Sequence, residues 1–373
     1  MTGGAEVSVA CLIHGLAEAR IRVHVLAGNE PSAQLRDAIV AGGGSITIVN
    51  GNAPTGAVPW EHHAFHVATR LHDVIARHHV RVVHVFSHSS AVAAAIAMHG
   101  FEKRPLVCAS FHEMSAEDTP AGLARTRYVY GLKEIDQHLP VSEHYRQIAL
   151  RHGVPPWRLH RVRQGVPFDM FARGERGRGR TLLSASSAEL LVLCPGRFTP
   201  WKGQLDLLEA VAQCRSRGYI FHTVLLGSLN AGSVPYLRTL ESRRAALELK
   251  DCVDLLLDLP YADMADALAA ADLVVLPSHR EGFGLAGLEA MAAGRPLVAT
   301  DVSGFDEYCV DGQNCRLVPA EDVSALVQVM CELLADHGKR DALGLRGEAT
   351  AAQYDASVQA RDVVRVYARL CPP

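Results

Sequence analysis

Short β-branched runs alternate with longer stretches of helical apolar spacing along nearly all of this chain, and that alternation restricts the fold more than any other feature. Candidate strands are 23–27, 46–50, 82–86, 106–111 and 138–142 in the first half. In the second half they are 190–194, 222–226, 253–257, 273–277, 297–300 and 315–318. Segments such as 6–20, 204–217, 262–271 and 357–370 carry helical spacing between or after them. Strand–helix alternation of this kind requires parallel sheets covered on both faces. At 373 residues the chain exceeds one ordinary core and suits two domains. The polar, Gly-rich stretch 173–180 is the expected linker. It divides the chain into 1–172, 181–355 and a terminal helix, 356–373, which packs back towards the first half. The fold class expected is α/β, with two Rossmann-like doubly wound domains whose ligands bind beyond the C-terminal strand ends.

Composition closes off several classes. A net charge of −3 gives no global attraction to nucleic acid or anionic lipid, although local basic patches leave peripheral membrane contact open. Nine cysteines lie at irregular spacing with no C-x-x-C pair, unlike a disulfide framework or a structural zinc site. Cys309 and Cys315 are neighbours by coincidence on this reading, and the chain is expected to be reduced and cytoplasmic. No apolar run approaches the roughly 18–20 residues that span a bilayer. His62, His63 and His66 share one expected helix. No Cys or carboxylate stands at matching spacing, so they are taken as surface histidines and no metal ligand is assigned.

Two segments carry chemistry. Glu281-Gly-Phe-Gly-Leu-Ala-Gly-Leu-Glu289 follows the strand 273–277 and opens a helix. Gly282 and Gly284 let the backbone approach a ligand, and the free N–H groups of the first turn suit a phosphate. Glu289, about one turn into the helix, is placed to accept two ribose hydroxyls. The tripeptide Gly-Phe-Gly alone reads as an ordinary helix start. The whole nonapeptide at a strand end, followed by Ala290-Met-Ala-Ala-Gly-Arg-Pro-Leu-Val298, reads as a nucleotide site. Cys194-Pro-Gly-Arg-Phe-Thr-Pro-Trp-Lys-Gly203 adds two cations, Arg197 and Lys202, on a loop after another strand. A departing nucleoside diphosphate gains negative charge, and fixed cations stabilise it most in the transition state.

These segments resemble glycosyltransferase family 4, the retaining nucleotide-sugar transferases of GT-B architecture. The Glu-x7-Glu motif is matched by Glu281 and Glu289, and Gly-Arg-Phe-x-x-x-Lys-Gly by Gly196–Gly203. The similarity extends to Asp301–Glu307, Asp311–Asn314, Leu226-Gly-Ser228, Gly3-Gly-Ala-Glu6, Phe111-His112, Val141–Glu143 and Gln164–Val166. The resemblance implies that Arg197 and Lys202 hold the diphosphate and Glu289 the ribose, while Glu281 meets the transferred sugar. Backbone amides around Phe283, Gly284 and Leu285, with Gly227 of the 226–228 turn, would complete the donor site. His112 would lie near the anomeric carbon, and Gly3 and Gly4 would form a loop beside the diphosphate. It implies an acceptor-side domain in 1–172 and a nucleotide-sugar domain in 181–355, acting by front-side displacement with retention of configuration. No cofactor and no metal is expected.

The partners implied are a nucleoside diphosphate hexose and a glycan, lipid-linked or small-metabolite acceptor. A lipid-linked one would be met at the inner face of the membrane. Two other functions compete with this reading. A GT-B phosphorylase needs a pyridoxal-bearing lysine context that is not found, whereas a non-catalytic nucleotide-sugar binder or scaffold partner is disfavoured by the intact acidic and basic pairs. Glu113–Glu117 stands where the family often has a small residue, and 255–261 announces no base preference. Only Met1 and Thr2 precede Gly3, so the first strand of the first domain is expected upstream of this sequence.

Overall fold

The structure is a computed structural model and describes residues 4–28, 31, 33–49, 60–112, 120–186, 188–228 and 233–371. In chain order the first part holds α1 (Gly4–Glu18), β1 (His24–Ala27), α2 (Ala33–Ala41), β2 (Ser45–Ile48), α3 (Trp60–His78), β3 (Val82–Val85), α4 (His88–Ala97), β4 (Leu106–Ala109), α5 (Pro120–Tyr130), β5 (Gln137–His138) and α6 (Glu143–Arg151). There follow α7 (Phe168–Ala172), α8 (Arg176–Leu182), β6 (Leu191–Pro195), α9 (Gln204–Ser216), β7 (His222–Gly227), α10 (Val234–Ala246), β8 (Val253–Leu257) and α11 (Met264–Ala270). The chain ends with β9 (Leu273–Leu276), α12 (Leu285–Ala292), β10 (Leu297–Thr300), β11 (Arg316–Val318), α13 (Val323–Ala335), α14 (His337–Ala351) and α15 (Ala356–Leu370). Two compact units result: 8–165 with 356–373, and 166–355 with 1–7.

In the larger unit six parallel strands run in the order β11-β10-β9-β6-β7-β8. Successive side chains of a strand point to opposite faces, and here the alternation sorts them into two cores. Leu191, Leu193, Val224, Leu226, Val274, Leu276, Leu297 and Ala299 pack with residues of α11 and α12. Val192, Cys194, Leu225, Val253, Val275 and Val298 pack with residues of α9 and α13. Both faces are therefore covered, which is why these strands read as continuous apolar runs rather than alternating ones.

The stretch 173–180, expected as a linker, is instead structured: α7 ends at Ala172, and α8 begins at Arg176 and lies against α11. Its glycines and arginines mislead by composition. A Cβ on Gly179 would come within 1.8 Å of the Asp266 carbonyl oxygen, so the glycine permits close helix approach. The arginines are ion-paired: Arg176 and Arg180 with Asp272, and Arg178 with Asp263 and Asp266. The division between units falls at Gly165–Val166, ahead of that stretch.

The smaller unit holds two parallel sheets, β1-β2 and β3-β4-β5. Strand β5 is Gln137–His138, so it keeps only His138 of the expected 138–142. Pro140 has no N–H to give to a ladder, and beyond it the chain is held through the Pro140 carbonyl, which accepts from Val162 N–H at 3.2 Å. Helix α15 closes this unit: Ala360, Val363 and Val366 are buried with Leu12, Leu16, Cys108, Leu139 and Val162. His84 of β3 hydrogen-bonds Tyr367 Oη at 2.7 Å and Ser110 Oγ at 2.8 Å. Burial lowers the pKa of His84 to about 3, so it is neutral there. Among the described residues no helix is long and apolar enough to cross a membrane.

Candidate functional site

Strand β6 is flanked by β7 and β9, so the strand order reverses beside it. Ligands of doubly wound sheets bind in the crevice beyond the C-terminal strand ends at such a reversal. The two loops that leave these ends are 196–203 after β6 and 277–284 after β9. They carry Arg197 and Lys202 on one and Glu281, Gly282, Phe283 and Gly284 on the other.

The loops are stitched together. His279 N–H donates to the Trp201 carbonyl at 2.8 Å, and His279 Nε2 lies 2.7 Å from Asp206 Oδ2. The Arg280 guanidinium stands 5.3 Å from the Trp201 ring centroid, a cation–π distance. Gln204 Nε2 donates to the Arg197 carbonyl at 2.9 Å, which fixes the start of the basic loop.

Held in this way, Lys202 Nζ reaches Glu281 Oε1 in an ion pair, and Ser278 Oγ donates to the same oxygen at 2.8 Å. Arg197 is exposed, and its guanidinium has no ion-pair partner among the described residues. One cation of the pair is thus committed to a carboxylate and the other is open.

Helix α12 begins at Leu285, with Gly284 as its N-cap at φ +79. A Cβ there would lie 2.5 Å from the Phe305 ring, so the left-handed turn needs glycine twice over. Tyr308 Oη donates to the Gly284 carbonyl. No side chain caps the helix N-terminus; Gly287 N–H donates to the Gly284 carbonyl at 2.9 Å, and the N–H groups ahead of it are the ones a helix start offers to an anion.

Glu289 sits in the second turn of α12, 7% exposed, with Tyr261 Oη donating to its Oε1 at 3.0 Å. Burial raises its carboxyl pKa to about 7, against the opposing pulls of the Tyr261 hydrogen bond and the Lys202 charge. Gly227 ends β7, and its carbonyl accepts from Asp258 N–H at 2.9 Å.

Of the expected donor residues, Arg197, Lys202, Gly227, Glu281, Gly282, Phe283, Gly284, Leu285 and Glu289 all lie in the larger unit. His112 belongs to the smaller one, just past the end of β4. Its ring centroid is 6.0 Å from that of Phe86, and burial lowers its pKa to about 4. Gly3 lies outside the described residues, as do Glu113–Glu117, and Gly4 is the first residue of α1 rather than part of a turn. The side chains of His62 and His63 are outside them as well. Sequence reasoning missed Ser278 and Tyr261. Ser278 stands three residues before Glu281, a spacing that hints at the contact; Tyr261 gives no such signal.

The comparisons agree with this architecture. A family model described as glycosyl transferases group 1 matches residues 183–350, and one described as Glycosyltransferase Family 4 matches residues 2–169. The D-inositol 3-phosphate glycosyltransferase of Streptosporangium roseum is 31% identical over 224 residues, 58% of this chain and 51% of that protein. Its counterpart in Nocardia farcinica is 28% identical over 228 residues, 61% and 51% of the two chains. The chain thus spans about half the length of the curated relatives it matches.

Among solved structures, a glycosyltransferase from Rickettsia africae ESF-5 superposes with a TM-score of 0.82 at 17% identity, covering 100% of this chain and 96% of that one. Anabaena Alr3699/HepE in complex with UDP and glucose gives 0.82 at 22%, covering 99% and 96%. These likenesses establish the GT-B fold of two Rossmann-like domains. With the two family models spanning almost all of the sequence, the chain belongs to glycosyltransferase family 4.

Proposed function

We propose that the chain transfers a hexose-type sugar from a nucleoside diphosphate sugar to an acceptor, with retention of anomeric configuration. The observation that carries this is the convergence of Lys202, Glu281 and the uncapped start of α12 at the reversal between β6 and β9. In this reading Arg197, Lys202 and the first-turn N–H groups bind the diphosphate and stabilise the charge that develops as it leaves. Glu281 accepts hydroxyls of the transferred sugar, and Glu289 those of the ribose. His112, neutral at physiological pH, is the acceptor-side group that meets the reacting sugar. The phosphate departs on the face that the acceptor attacks and takes the acceptor's proton, so no carboxylate nucleophile is required. Positive charge comes from side chains and backbone, so the reaction proceeds without a metal.

The names of the relatives support a sugar-transfer role, and the Anabaena complex supports UDP as the first nucleotide to test. The acceptor is a glycan end, a lipid-linked glycan or a small metabolite. A lipid-linked acceptor is met from the cytoplasmic side by peripheral contact. The test is hydrolysis of a panel of nucleotide sugars in EDTA, with NMR of the released sugar. Slow hydrolysis of one donor to the retained anomer is expected. Hydrolysis of none would favour a non-catalytic binder, and an inverted product would remove the mechanism.

A further inference from the structure

The segment between β8 and α11 leaves the sheet at its C-terminal edge. Its start is tied to β7 by the Asp258 N–H bond to Gly227, and it closes in a 3-10 turn, Tyr261–Asp263. Tyr261 is the first residue of that turn. Its ring packs against the buried core of the larger unit, edge-on to Phe171 at 6.1 Å between centroids. The hydroxyl then emerges opposite α12 and donates to Glu289 Oε1 at 3.0 Å. This is the one hydrogen bond that the Glu289 carboxyl receives among the described residues, and Oε2 is left without one.

We propose that Tyr261 is a positioning residue for ribose recognition: its hydroxyl pins Oε1 of Glu289 so that Oε2 faces the ribose diol. The proposal rests on the donor-site reading of Glu289. The physical case has two parts. A glutamate side chain on a helix has several rotamers, and a donor anchored in the core selects one before the ligand arrives, which lowers the ordering cost of binding. A nearly buried carboxylate with no donor is also driven towards its neutral form, which accepts hydroxyl hydrogens less well than the ion. Burial already pushes Glu289 in that direction, and the Tyr261 hydrogen bond opposes it. Nothing comparable is needed at Glu281, whose Oε1 has both Lys202 and Ser278.

The test is calorimetric titration of the full chain and of Tyr261→Phe with UDP and with 2′,3′-dideoxy-UDP. The phenylalanine keeps the ring and its packing, so only the hydroxyl is removed. The variant is expected to bind UDP roughly tenfold more weakly, the scale of one hydrogen bond to a charged group. The dideoxy nucleotide, which cannot use Glu289, is expected to bind wild type and variant alike. Equal weakening towards both ligands, the mark of a merely structural tyrosine, would overturn the proposal, and so would unchanged UDP affinity. Absence of binding of UDP, GDP and ADP to the wild type would overturn the donor-site reading itself and the proposal with it.

Discussion

Two donors converge on one oxygen of Glu281, and one of them is Lys202, the lysine proposed to meet the leaving diphosphate. Lys202→Ala is expected to lower turnover roughly 10²–10³-fold, as loss of a preorganised donor to a developing anion does. Steady-state rates on a folded variant check it, and near-normal turnover would remove the phosphate role. Glu289 predicts a pH effect. Its folded pKa is raised from 4.5 to about 7, so unfolding releases its proton between those values. Stability of the ligand-free protein therefore falls as pH rises through that window. Thermal midpoints from pH 4.5 to 7.5 are expected to show a downward contribution that Glu289→Gln lacks. At this scale the sequence singles out Arg197, Lys202, Glu281 and Glu289 because they are charged side chains on the loops and helix that follow strand ends, and the structure places all four in the larger unit, with Lys202 and Glu281 ion-paired. Tyr261 was not legible in the sequence. A tyrosine is common in cores, and its partner lies 28 residues away.

Among the elements, strands were the most legible, since the strands of a sheet covered on both faces are mostly apolar, with single polar residues such as Thr223 and Asp254. Boundaries moved where backbone chemistry intervened, as at Pro140. The segment 173–180 misled because glycine and arginine serve linkers and tight helix contacts equally well, and only the opposing Asp263, Asp266 and Asp272 tell them apart. Two glycines of α8 make the distinction measurable. Gly177 has nothing within 4 Å of a built Cβ, so Gly177→Ala is expected to stabilise by about 0.5–1 kcal/mol through helix propensity. Gly179→Ala carries the same propensity gain, but its Cβ would collide with the Asp266 backbone. The overpacking cost of about 1–3 kcal/mol wins, and the variant is expected to be less stable. Denaturant midpoints of the two variants, moving in opposite directions, check the assignment of α8 as a packed helix.

Over the whole molecule each unit has its own core, and the chain ends in the smaller one through α15. Val363 is 1% exposed there, and placing a charge at it is expected to cost several kcal/mol. Val363→Asp should therefore destabilise the smaller unit, while affinity at the nucleotide site proposed for the larger one changes little below the first unfolding transition. Two-domain alternation was legible in the sequence. The place where the chain passes from one core to the other was not, because it depends on which core each helix joins. The central claim is that 166–355 holds a metal-independent nucleoside diphosphate site built on Lys202 and Glu289. Its most direct test is calorimetric titration of UDP, GDP and ADP, in EDTA, into the wild type, Lys202→Ala and Glu289→Ala. The account predicts one site per chain for at least one nucleotide, weakened by about 1.5–3 kcal/mol in each variant through lost charged hydrogen bonds. Absence of binding, or equal binding by all three proteins, would contradict it.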